Sequence, residues 1–209
     1  TSADYAEDIR AALAYLRTRR EVDAGRLGVV GHSEGGLIGP MVAVAEPSLR
    51  AVVTLAGPAY NGLEIIRYQQ RNAVDRDSTL KPSQRDSAYR AAASELDTMM
   101  AASPWLKFFV SYDPLATARR VKAPALILQG ETDHQVTAVQ AEKLGAAMRA
   151  GGNRDVTVRV FPQLNHLFIH DSDGSVTGYA RLPTNKVDPA VLGAIADWLV
   201  VKLAAKGSM

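Results

Sequence analysis

The chain has 209 residues, 47% hydrophobic and 22% charged, with a formal net charge of +2 and no cysteine. That mixture suits a globular domain with a sizeable core, and the near-neutral balance gives no reason to expect nucleic acid or a membrane surface as partner. The lack of cysteine excludes a disulfide framework, a cysteine nucleophile and a thiolate metal site, and no apolar run approaches the length of a membrane span.

Residues 5–20 carry Ile9, Leu13 and Leu16 on one helical face among alanines, which predicts a helix. A turn at Val22-Asp23-Ala24-Gly25 leads into the apolar run of residues 27–30, read as a short buried strand. Gly31-His32-Ser33-Glu34-Gly35 follows, and Leu37, Ile38, Met41, Val42 and Val44 continue at helical spacing to Glu46-Pro47. Strand, Gly-x-Ser-x-Gly and helix together read as a nucleophile elbow, whereas the motif alone would be an ordinary glycine-serine loop. A serine held on so sharp a turn needs neighbours without Cβ atoms, the role expected of Gly31 and Gly35. The helix start aims free N–H groups at the same spot, so the Glu34 N–H is an expected oxyanion donor.

Residues 49–55 form a second short strand, closed by Gly57-Pro58, so strand, helix and strand make a parallel βαβ unit. From residue 60 to 112 strand signals vanish and two helical stretches are expected, at 63–72 and 83–100. This insertion reads either as a helical hairpin packed on the core or as a cap over the active site. As a cap it would line a substrate pocket with Trp105, Phe108 and Phe109, with His32 added from the elbow. The parallel pattern resumes with a strand at 124–128, a helix at 139–150 ending in Gly151-Gly152, and a strand at 156–161. A polar loop at 171–185 precedes a final amphipathic helix at 191–203, and the chain closes on Lys206-Gly207-Ser208-Met209, natural or appended. The organisation expected is an α/β core at 1–59, a helical cap at 60–112 and a second core part at 113–209, the parallel sheet flanked by helices.

In an open parallel sheet, functional groups collect at the carboxyl ends of strands. Three such ends carry Ser33, Asp133 and His166, in that chain order. Serine is a poor nucleophile at neutral pH; His166 would take its proton and pass it to the leaving group, while Asp133 would orient the imidazole. His170 competes for the base, but His166 follows its strand directly. Glu131 competes for the acid, but Asp133 sits deeper in its loop. His32 and His134 read as packing and loop residues, and Asp171 and Asp173 as surface acids. No histidine-carboxylate spacing suggests a metal site.

Gly-His-Ser-Glu-Gly-Gly, Leu-Gln-Gly-Glu-Thr-Asp-His-Gln-Val and Leu-Asn-His-Leu-Phe resemble the three catalytic motifs of the α/β-hydrolase superfamily. The nearest resemblance is to bacterial carboxylesterases similar to the prolyl-oligopeptidase and dienelactone-hydrolase branches, and residues 8–17 are similar to the helix that precedes the elbow there. The resemblance implies hydrolysis of a small-molecule ester through an acyl-enzyme without a cofactor, with Ser33, Asp133 and His166 in the triad positions. A serine peptidase of the oligopeptidase type is the alternative enzyme, and a non-catalytic fragment or subunit the alternative outside enzymes. In the family the elbow follows the fifth strand of eight, so the first strands and the second oxyanion N–H are expected to be missing here. The expectation that follows is a second polypeptide supplying those strands, or self-association through an open sheet edge.

Overall fold

The computed structural model describes residues 1–204; the tail Lys206-Gly207-Ser208-Met209 lies outside the described residues. The elements run α1 (Ser2–Leu16), β1 (Gly28–His32), α2 (Glu34–Ala45), β2 (Ala51–Leu55), α3 (Gly62–Arg76), α4 (Pro82–Ala102), α5 (Pro104–Ser111), α6 (Pro114–Ala118), β3 (Ala125–Gly130), α7 (Val139–Ala150), β4 (Val156–Phe161) and α8 (Pro189–Lys202), with a 3-10 helix at Val176–Arg181. The strands form one parallel sheet in the order β1-β2-β3-β4. Parallel neighbours need crossovers, and here each crossover carries at least one helix.

Burial explains the strand sequences. Every residue of β2 and of β3 is buried, because helices cover both faces, so these strands are nearly unbroken apolar runs. On one face Val52 and Ile127 pack with Leu13 of α1, Val42 of α2, and Leu144 and Met148 of α7. On the other, Val53, Leu126 and Leu128 pack with Phe161, Phe168 and Val191, closed over by Trp198 and Leu199 of α8. Burying each such side chain is worth about 1.5–3 kcal/mol, so this double-faced centre is the rigid part of the molecule.

Three local expectations change. The first helix is Ser2–Leu16, one turn earlier than 5–20, because Thr1 and Asp4 form a capping box at its start. Its buried face is Ser2, Ala6 and Leu13, while Ile9 and Leu16 stay exposed. Lastly, β1 is not covered on both faces. It lies at a sheet edge among the described residues; Val29 packs on the α2 side, and Val30 on the opposite face is 49% exposed. Helix α8 reaches β2 and β3 but not β1, which leaves that face of the edge strand open.

Residues 62–111 are helical throughout apart from two short breaks, both before prolines at helix starts, as prolines favour. The helices bury little: Gly62 and Ile65 from α3, Leu96 from α4, Leu106 from α5. They therefore rest on the sheet domain as an outer layer rather than sharing its core.

Candidate active site

Ser33 sits between β1 and α2 with φ of 55°, in the left-handed region that side chains other than glycine avoid. Such strain, about 1–3 kcal/mol, persists only where surroundings enforce it. Here they do: the Ser33 N–H donates to Leu55 O at 2.8 Å, and the turn is closed by two glycines. A Cβ on Gly31 would meet Gly35 O at 2.0 Å, and one on Gly36 would meet Gly57 Cα at 2.6 Å. A Cβ on Gly35 would meet nothing within 4 Å, so the close approach belongs to Gly31 and Gly36, not to Gly31 and Gly35 as the motif spacing suggests.

The turn lifts Ser33 Oγ to 3.0 Å from Nε2 of His166. His166 follows β4 on a loop tied by the buried Asn165, whose carboxamide oxygen accepts from the N–H groups of Leu167 and Ile169. Nδ1 of His166 lies 2.8 Å from Oδ2 of Asp133, in the loop after β3. Both side chains are almost fully buried. The carboxylate is fully engaged: Oδ1 accepts from the N–H groups of Gln135 and Val136 at 2.7 and 2.9 Å, and Oδ2 accepts from Gln129 Nε2 at 2.7 Å as well as from the imidazole.

Sequence reasoning missed Gln129. It ends the apolar stretch of β3 with a polar side chain that is nonetheless 0% exposed. Its Nε2 donates to both Asp133 and Val136 O, so the amide cannot be turned round without facing oxygen against oxygen. A glutamine inside an apolar strand, four residues before the acid, is the signal that could have found it.

The rivals lie elsewhere. His170 forms a bridge with Leu164 on the exposed side of the loop, and Glu131 accepts from the Gln163 N–H. His32 donates from Nε2 to the carbonyl of His166 at 2.8 Å, with the two rings 4.8 Å apart. One side of His32 is open to solvent, yet burial of the rest of the ring is the largest influence on it and lowers its pKa.

A cavity of about 240 Å³ opens beside Ser33 and His166. Its walls are Ile65, Ile66 and Gln69 of α3, Trp105 and Phe109 of α5, and Val136. Trp105 and Phe109 stack on each other one helical turn apart, and Trp105 Nε1 donates to Oε1 of Glu34 at 2.7 Å. The buried Ser2 donates to the same oxygen at 2.7 Å, so Glu34 joins α1, the elbow and α5. Phe108 and His32 do not line this cavity. Phe108 stacks on Tyr112 and faces α1 and α2, because it stands one residue off the stripe of Trp105 and Phe109. His32 lies behind His166. Among the described residues no group of histidine, aspartate and glutamate could hold a metal ion.

The family model described as the prolyl oligopeptidase family matches residues 2–183. Esterase EstD of Thermotoga maritima is 28% identical over 200 residues, covering 93% of this chain; the chain spans about half that relative's length, 47%. An esterase of Pyrococcus furiosus superposes with a TM-score of 0.58 at 14% identity over 95% of this chain and 61% of that one. An acylaminoacyl peptidase of Pyrococcus horikoshii gives 0.55 at 16% identity over 97% of this chain and 28% of that one. The architecture these share with the present sheet and its helices is the α/β-hydrolase fold. The family match from residue 2 to residue 183 takes in every strand of the sheet and the loops bearing Ser33, Asp133 and His166, and on it the chain belongs to the prolyl oligopeptidase family.

Proposed function

We propose that the chain carries the catalytic machinery of a serine hydrolase that cleaves carboxylic esters through an acyl-enzyme on Ser33. The observation that carries the reading is the unbroken relay from Ser33 Oγ through His166 to Asp133, at 3.0 and 2.8 Å, at the carboxyl ends of β1, β4 and β3. As Oγ attacks the ester carbonyl, its proton passes to Nε2 of His166. The charge that forms on the imidazole is met by Asp133, which its four donors hold in place. The oxyanion forms in front of the first turn of α2, where the Glu34 N–H is the donor. Collapse expels the alcohol, which takes the proton from His166, and water repeats the sequence on the acyl-enzyme. His32 steadies the His166 loop from behind through the carbonyl it binds.

The apolar walls of the 240 Å³ cavity suit a short acyl chain. Residues 62–111 supply Ile65, Ile66, Trp105 and Phe109 to those walls and so act as the cap that selects the acyl group. That a relative over 93% of this chain is named an esterase supports the ester reading over the peptidase one. The test is turnover of p-nitrophenyl acetate and butyrate beside aminoacyl-anilides, with peptide mapping after paraoxon treatment. Ester cleavage and one phosphoryl group on Ser33 are expected. Anilide cleavage without ester cleavage, or labelling at another residue with loss of activity, overturns the proposal. The open edge of β1 is the surface by which we expect self-association, and light scattering on the purified chain checks it.

A further inference from the structure

A second and larger cavity, of about 640 Å³, lies beyond the first. Gln69 of α3 is in the wall of both, and its Nε2 donates to Gln135 O, which fixes the side chain between them. The two cavities differ in chemistry. The inner one is walled by Ile65, Ile66, Val136, Trp105 and Phe109. The outer one presents the carboxamides of Gln69 and Asn72, the hydroxyls of Ser78 and Thr177, and the guanidinium of Arg76.

The charged groups in the outer wall are engaged by neighbours within the protein. Arg76 donates to Asp173 at 2.6 Å and from its other terminal nitrogen to His134 Nε2 at 2.9 Å. The His134 ring is held by that contact and so is already engaged within the protein. Asp77 accepts from the N–H and the hydroxyl of Thr79 at 2.8 and 2.6 Å. A charged ligand would have to compete with these partners for Arg76 or Asp77. What remains on the wall is a ring of neutral donors and acceptors, which matches a neutral molecule with several hydroxyl groups.

We propose that the outer cavity is the alcohol-side subsite of the same active site and takes a neutral, polyhydroxylated leaving group such as a sugar or glycerol. The assignment rests on the ester reading above. The acyl chain sits in the apolar inner cavity on Ser33, and the alcohol oxygen, on leaving, takes its proton from His166 and departs past Gln69. A site built to pair hydroxyl groups discriminates against an alcohol that lacks them, since its own polar groups then go unpaired.

The experiment compares 6-O-acetylglucose, ethyl acetate and acetylcholine as substrates of the full chain. The expected kcat/KM for acetylglucose exceeds that for ethyl acetate by about tenfold or more, with acetylcholine no better than ethyl acetate. Asn72→Leu and, separately, Thr177→Val each lower the acetylglucose-to-ethyl acetate ratio, through KM. A ratio near one in the unmodified chain, or a ratio untouched by both substitutions, overturns the proposal. A preference for acetylcholine overturns it too, in favour of a cation subsite. If no ester is cleaved at all, the ester reading fails, and the subsite is judged by saturation-transfer NMR of methyl glucoside on Ser33→Ala. A signal that Asn72→Leu removes supports a polyol site, and no signal overturns it.

Discussion

The sheet domain and the helical segment 62–111 face each other across Ser33, and they are built in opposite ways. All eleven residues of β2 and β3 are buried, whereas the 21 residues of α4 bury only Leu96. The sheet is held by contacts on both faces. The helical segment is held by a few polar ties: Trp105 to Glu34, Gln69 to Gln135, Arg76 to Asp173 and His134. Local opening costs least where few apolar contacts must be broken. On the function proposed above, the contrast teaches a division of labour: the relay would be mounted on the part that stays fixed, and the walls that meet variable substrates on the layer that can move.

The sharpest test of the rigid half is removal of the relay. Ser33→Ala is expected to lower turnover by about 10⁴-fold or more, and His166→Ala by a similar factor, while circular dichroism and melting stay close to the unmodified chain. His170→Ala should leave most of the activity. If His170→Ala is the damaging substitution, the base has been placed on the wrong side of the loop.

Gln129 offers a finer test of the same half. A hydrogen bond to a charged group contributes about 1.5–3 kcal/mol, which is a factor of about ten or more in rate if it is used as the imidazolium forms. Gln129→Leu is therefore expected to reduce kcat by about tenfold with little change in KM, and to slow paraoxon labelling of Ser33 in parallel. A fall in melting temperature with kcat intact would make Gln129 a packing residue only.

On the helical side, Trp105→Ala removes both an aromatic wall and the tie to Glu34. The expected result is a change of about tenfold or less in the acetate-to-butyrate ratio, larger than any change in melting temperature. An unchanged ratio with a lowered melting point would show that α5 packs rather than selects.

The same contrast explains which features are legible in the amino-acid sequence. Apolar runs bounded by glycine and proline locate β2 and β3 because a strand covered on both sides is apolar almost throughout, with Thr54 and Gln129 the exceptions. The elbow, the acid loop and the histidine loop are legible because strained turns and strand ends need particular residue types there. What escapes is side-chain pairing at a distance. The partner of Gly31 in closing the elbow is Gly36, which packs on Gly57 of the β2–α3 connection, a contact no local spacing records. Gln129 reads as the first residue of the loop after a strand at 124–128, because the partner that explains its burial lies further along that loop. Composition groups Phe108 with Trp105 and Phe109, although helical spacing pairs Trp105 with Phe109 and Phe108 with Tyr112. The exposure of Val30 depends on how far α8 extends across the sheet, which no residue of β1 encodes.

The smallest expected effect lies in the tie between α3 and the loop after β4. The hydrogen bond from Arg76 is the largest influence on Asp173 and holds its carboxyl below its ordinary pKa. A carboxyl whose folded pKa is depressed stabilises the fold above its unfolded value, about 3.9, and loses that contribution as pH falls through the lower folded value. Both partners are substantially exposed, at 36% and 63%, so solvent screening limits the pair to about 1 kcal/mol or less. Arg76, His134 and Asp171, whose carboxylate accepts from the Asp173 N–H, are the charged or titratable groups around Asp173. Asp173→Asn leaves His134 and Asp171 in place and so isolates the contribution of Asp173. Corrected for the intrinsic pH dependence of exchange, the protection of the α3 amides should therefore fall by about fivefold or less as pH is lowered below about 4, with that of β2 and β3 unchanged. In Asp173→Asn the α3 amides should exchange faster at neutral pH and show no further step on acidification. A step of the same size in both proteins would assign the acid response to other groups, and a step in β2 and β3 would erase the distinction between the two halves.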